Sequence, residues 1–229
     1  MKLRLLILSL LILGCQSTKE EKSAEIEQPK EEVVAPSEIE IRTVPGQSPL
    51  KEDEERTDWQ NPNLVLDVLG NLEGKTIADI GAGSGYFTFK IAKNAEKVIA
   101  LDIDPNALEY IESQKRIVGD WANNIEARLT PPDVPNLLPQ EVDAALLVNT
   151  YHFLPNQQKY LPRLLEGIKP GGLFVLVDFK LGEIPVGPSD QFKGKPEDVR
   201  RDLRKAGFRS IDIDTKSLEF QYIITAKKK

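Results

Sequence analysis

The chain has 229 residues, with 30 Lys and Arg against 36 Asp and Glu and a formal net charge of −6. One Cys and one His exclude an internal disulfide and a Cys/His metal cluster, and the acidic balance argues against the basic face that nucleic-acid binding normally needs. Neither an internal repeat nor any signal for a protein partner is visible.

In chain order, the first fifteen residues stand apart. Lys2 and Arg4 precede an apolar run at residues 5–13, shorter than the roughly 20 residues a bilayer-spanning helix needs. The pattern reads as a signal peptide. Its end, Leu11-Ile12-Leu13-Gly14-Cys15, resembles a bacterial lipobox. That implies lipidation of Cys15, anchorage to a lipid bilayer and a place in the cell envelope. Residues 16–55 follow, rich in Glu, Lys, Pro and Ser, and residues 16–58 carry 13 acids against 6 bases. Such a segment buries too little apolar area to offset the entropy of ordering, so the expectation is a disordered acidic tether of roughly 35 Å end to end. Residues 56–229 remain as one domain of ordinary size and near-neutral charge.

Within that domain Leu64, Val65, Val68 and Leu69 share a face of a helix over residues 63–69. A strand at 76–80 leads through a glycine turn into a helix at 86–94. A strand at 97–102 precedes a helix at 105–114, with Asp104 as N-cap and Pro105 in its first turn. A strand at 124–129, a proline-rich loop at 130–140, a strand at 142–149 and a helix at 156–168 come next. Lys169-Pro170-Gly171-Gly172 reads as a sharp turn before a strand at 173–178. A helix at 196–206, closed by Gly207, and strands at 209–215 and 219–225 finish the chain. Alternating β and α predicts an α/β fold, a three-layer Rossmann-like sandwich with a mostly parallel sheet and an antiparallel hairpin at the C-terminus.

The most informative stretch is Asp79-Ile80-Gly81-Ala82-Gly83-Ser84-Gly85-Tyr86-Phe87. Glycines let a ligand approach the main chain, and a strand, a glycine turn and a helix N-terminus together make a nucleotide-type crevice. The dinucleotide fingerprint G-x-G-x-x-G requires a glycine where Tyr86 stands, which argues against the runner-up, a dehydrogenase. Asp102 ends the next apolar strand about 20 residues on, the place where Rossmann-like folds put the acid that accepts from ribose hydroxyls.

The G-x-G-x-G run with its preceding acid resembles motif I of the class I S-adenosylmethionine-dependent methyltransferases. The element order resembles their seven-stranded core over residues 56–229. The resemblance implies S-adenosylmethionine as cofactor and an unidentified, small-molecule methyl acceptor. It places Gly81, Ala82, Gly83, Ser84 and Gly85 against the aminocarboxypropyl group, with Asp79 positioning its ammonium and Tyr86 near the sulfonium. It further implies that Asp102 holds the ribose, that Ile103 covers one adenine face, and that an acid after the third strand meets the adenine amino group. Asp120 and Asp133 are the candidates for that acid, and Asp133 is preferred because it follows the strand. Asn149 contacts the donor. His152, the only histidine, is a candidate base or simply packs in its loop. Trp59 and Gln60 either lid the pocket or anchor the first helix.

Address and chemistry conflict, because the signal exports the domain whereas S-adenosylmethionine is a cytosolic metabolite. Three readings follow: an active methyltransferase, a membrane-tethered, non-catalytic lipoprotein that binds an adenosyl ligand, or a lipoprotein that uses the fold as scaffold.

Overall fold

The computed structural model describes residues 56–229. The expectations for the signal peptide, Cys15 and the tether at 16–55 lie outside the described residues. Residues 56–60 are helical and lead into α1 (Pro62–Leu69). The alternating part runs β1 (Thr76–Ile80), α2 (Tyr86–Ala92), β2 (Lys97–Asp102), α3 (Pro105–Val118), β3 (Ile125–Leu129), β4 (Val142–Val148), α4 (Gln157–Gly167) and β5 (Ile168–Phe179). Then come α5 (Pro196–Ala206), β6 (Arg209–Asp214) and β7 (Gln221–Lys227).

Seven strands form one sheet in the order β3-β2-β1-β4-β5-β7-β6. The first five run parallel to one another, while β7 runs antiparallel to both β5 and β6. The period-2 alternation of the strands sends buried side chains to both faces. On one face Ile77, Val98, Leu146 and Val175 meet Val65 and Leu69 of α1, Phe87 and Ile91 of α2, and Ile111 of α3. On the other, Ile80, Ile99, Leu147 and Leu176 meet Leu161 and Leu164 of α4 and Val199 and Leu203 of α5. Two cores on either side of one sheet make the three-layer α/β sandwich expected from the alternation of elements.

Three local readings change. The helix after Asp104 runs to Val118 rather than residue 114. Ile117 and Val118 are exposed, so no apolar period marks its last turn, and Gly119 at φ 98° closes it. Asp104 does cap the start, its Oδ1 accepting from the Asn106 amide at 2.9 Å. The Lys169–Gly172 segment is a bulge inside β5 and not a turn before it: Ile168 pairs with Val142, and pairing resumes at Leu173 with Ala144. Gly171 absorbs the irregularity at φ 77°. The last strand lies two residues later than expected, at Gln221–Lys227. Among the described residues no helix is long and apolar enough to cross a membrane.

Strand order reverses between β1 and β4. Their neighbouring carboxyl ends therefore diverge into loops on opposite sides and leave a crevice, the place where open α/β sheets bind ligands. Gly81 follows β1 there, and Asn149 and Thr150 follow β4.

Candidate functional site

The chain leaves β1 into a turn whose three glycines all have left-handed backbones: Gly81 at φ 72°, Gly83 at 53° and Gly85 at 87°. Side chains other than hydrogen are strained in that region, which accounts for the alternating pattern. Space separates their roles. A Cβ on Gly81 would lie 2.4 Å from Thr150 Oγ1, and one on Gly85 would lie 2.8 Å from the Phe89 ring. A Cβ on Gly83 would meet nothing within 4 Å. The outer glycines are small because protein presses on them, and the middle one faces open space. Gly85 is also the N-cap of α2.

Asp102, at the end of β2, comes to the same point. Its Oδ2 accepts from the Gly83 amide at 2.7 Å and its Oδ1 from the Asp104 amide at 2.9 Å. The two features singled out by sequence thus face each other, the carboxylate bracing the glycine turn. Beside them opens a cavity of about 220 Å³, walled by Gly81, Asp102, Ile103, Pro131, Thr150 and Phe153 among others. Ile103 is 60% exposed and lies on its rim.

Asp79 is buried on β1 and accepts from the Thr88 hydroxyl at 2.6 Å. Burial pushes its carboxyl up to about 6, against the opposing pull of the Thr88 bond and the Arg56 charge. Tyr86 is buried, its hydroxyl 2.9 Å from Thr57 Oγ1 with Lys90 over its ring, and Phe87 belongs to the core. Ala82 is buried and Ser84 partly so.

The candidate adenine acids lie elsewhere. Asp133 is paired with Lys159 and is absent from the cavity lining, which Thr130, Pro131 and Pro132 supply instead. Asp120 is exposed ahead of β3, at the opposite end from the cavity. Asn149 takes a left-handed backbone at φ 57°, and its Oδ1 accepts from Gln221 Nε2. Gln221 Oε1 in turn accepts from the buried Gln60 Nε2 at 3.1 Å. Gln60 therefore ties the N-terminal helical turn to the start of β7, and Trp59 packs on Phe179 of β5 at 5.7 Å.

His152 sits in the short 3-10 turn after β4, with Nε2 3.7 Å from Asp178 Oδ2. Burial lowers the imidazole and raises the Asp178 carboxyl to about 7, so both are driven toward their neutral forms and the contact is not a strong ion pair. Asp178 was not read from sequence, because an acid at the end of an apolar strand gives no sign of being buried. Among the described residues no group of His, Cys, Asp or Glu could hold a metal ion.

Comparison with known proteins agrees with this geometry. Residues 78–174 match the family model described as a methyltransferase domain. The fold is that of the class I methyltransferases. A crystal structure of a SAM dependent methyltransferase from Aquifex aeolicus superposes with a TM-score of 0.70 at 23% identity, covering 79% of this chain and 98% of that one. Phosphoethanolamine N-methyltransferase 2 of Haemonchus contortus, in complex with S-adenosyl-L-methionine, gives a TM-score of 0.63 at 14% identity over 74% of this chain and 52% of that one. In sequence, a demethylmenaquinone methyltransferase of Tropheryma whipplei is 33% identical over 113 residues, 49% of this chain and 45% of that protein. The chain thus spans under half the length of that relative.

The raised carboxyls fix a pH dependence. An acid whose folded pKa exceeds its unfolded one binds more protons when folded, so its contribution to stability falls as pH rises from the unfolded to the folded value. Asp79 and Asp178, raised from 3.8 to about 6 and about 7, both lower stability progressively between about pH 4 and pH 7. Urea denaturation across that range should show Asp178→Asn gaining stability relative to the unaltered chain as pH rises. A constant difference would show that burial does not raise the Asp178 carboxyl above its unfolded value.

Proposed function

We propose that this protein is an S-adenosylmethionine-dependent methyltransferase acting on a small-molecule acceptor. The observation that carries the reading is the convergence of the open Gly83 backbone and the Asp102 carboxylate at one crevice. A nucleoside ribose presents two vicinal hydroxyls, and Asp102 supplies two acceptor oxygens for them. Ile103 and Pro131 offer an apolar wall to a purine, and the turn at 81–85 lets the aminocarboxypropyl end lie against bare backbone. S-adenosylmethionine supplies an already electrophilic methyl carbon. What the protein must add is alignment of the acceptor at about 3–3.5 Å, together with exclusion of water.

Calorimetry on the full chain tests the donor site. S-adenosylmethionine should bind, and Asp102→Ala should weaken it by about 1.5–3 kcal/mol, the worth of hydrogen bonds to a charged group. Asp102→Asn, which keeps one acceptor for the Gly83 amide, should fall between the two. Equal affinity for all three would remove Asp102 from the site.

The proposal extends to the N-terminus. Cys15 carries a lipid and holds the enzyme at the bacterial cell envelope, the reading supported by the lipobox-like Leu11–Cys15 segment. Labelled fatty acid should be incorporated by the full chain in bacteria and not by Cys15→Ala. Equal labelling, or none, would count against the anchor.

A further inference from the structure

Four buried side-chain polar atoms among the described residues have no hydrogen-bond partner, and three of them lie together. They are Nε2 of His152, Oδ2 of Asp178 and the hydroxyl of Tyr222. Asp178 and Tyr222 are directly opposed on β5 and β7, so their side chains share a face, and His152 reaches Asp178 at 3.7 Å. Asp178 is 2% exposed and Tyr222 is 0% exposed. The fourth atom, on Asn124, lies before β3 and is unrelated. Buried polar groups are nearly always paired, so three unpaired ones on one face of the sheet point to a polar group the chain does not itself supply.

The cluster adjoins the donor crevice. Thr150 presses on Gly81, and His152 follows two residues later. A loop at residues 180–195 closes over it. Gly194 of that loop lies so close to the imidazole that a Cβ there would stand 2.2 Å from Cε1, and Phe192 stacks on Phe153 at 5.4 Å. Asp190 and Lys193 brace the loop through Gly182, at 3.1 Å to its amide and 3.0 Å to its carbonyl. On the inner side Tyr151 packs edge-on against His152 and donates to Asp202 at 3.1 Å, so that phenol is already engaged.

Resting on the methyltransferase reading, we propose that His152, Asp178 and Tyr222 form the acceptor site, and that it takes a neutral hydroxyl compound, such as a phenol or enol, whose proton passes to Nε2 of His152. One hydroxyl answers all three groups. It donates to the neutral imidazole nitrogen, and its two lone pairs accept from the Tyr222 hydroxyl and from Asp178 in its protonated form. An ammonium group offers only donors and would carry a charge past the Phe153 and Phe192 rings into a buried site, at a desolvation cost. In the transfer the acceptor O–H bond breaks and its proton goes to His152. The oxygen forms the new bond to the methyl carbon, the sulfur–carbon bond breaks, and its electron pair returns to sulfur. The positive charge of the sulfonium ends on the imidazolium, beside Asp178.

Because His152 is the only histidine, its imidazole Cε1–H resonance reports on this site alone. With the donor site of the full chain saturated by S-adenosylhomocysteine, millimolar phenol should shift that resonance saturably. Toluene and benzylamine should shift it at least about tenfold less. Asp178→Ala and Tyr222→Phe, each of which removes the donor, should each weaken the phenol titration about five- to tenfold, the worth of one hydrogen bond. Binding of S-adenosylhomocysteine, followed by calorimetry on the same samples, reports whether each variant is folded. If it binds and phenol leaves His152 unmoved, or toluene moves it equally, the acceptor site is refuted while the donor reading stands. A response to benzylamine in preference to phenol would refute the hydroxyl class. Failure of S-adenosylhomocysteine to bind the unaltered chain would refute the donor reading and this inference with it.

Discussion

One hydrogen bond joins the two halves of the crevice: Asp102 Oδ2 accepting from the Gly83 amide at 2.7 Å. Asp102 ends β2 and Gly83 follows β1, and the two strands are parallel neighbours in register from Thr76–Lys97 to Ile80–Leu101. The register therefore delivers the carboxylate to the turn without further adjustment. The second oxygen takes the Asp104 amide, which starts α3, so the same side chain orients the next helix. An ionised acceptor satisfied by two backbone donors is held in place before any ligand arrives, and such preorganisation reduces the entropy lost on binding.

The opposite wall depends on the reversal of strand order. Because β4 lies on the other side of β1, Thr150 reaches across to Gly81, and the absence of a side chain at that glycine is a packing requirement as much as a conformational one. A relay from Gln60 through Gln221 to Asn149 ties the same β4 end to β7 and to the N-terminal helical turn. The left-handed backbone of Asn149 is thus held by groups distant in sequence. Crevice geometry is consequently a property of the sheet as a whole, and strain at β4 is opposed from both sides.

The sequence made the proposed donor side legible because its signals are local. A glycine turn directly after an apolar strand, and an acid closing the next strand, are patterns within 25 residues of one another. The helix and strand periods of the two buried faces were legible for the same reason. Asp178 and Tyr222 were not, since they meet only through the antiparallel pairing of β5 with β7, on the face that α4 and α5 cover. Gly194 carries no pattern of its own, and only the position of the His152 ring explains it. Asp133 shows the converse. It stands at the right end of β3 by sequence, yet Lys159 of α4 occupies its carboxylate.

The crevice between Gly81 and Asp102 and the buried His152 cluster meet at residues 149–152, as the proposed transfer between two ligands would require. The most direct test is a crystal structure of the full chain with S-adenosylhomocysteine. The ribose hydroxyls should lie within hydrogen-bonding distance of Asp102, with the amino-acid end along residues 81–85 and the purine between Ile103 and Pro131. A nucleoside seated anywhere else, or a crevice empty at millimolar ligand, would contradict the account.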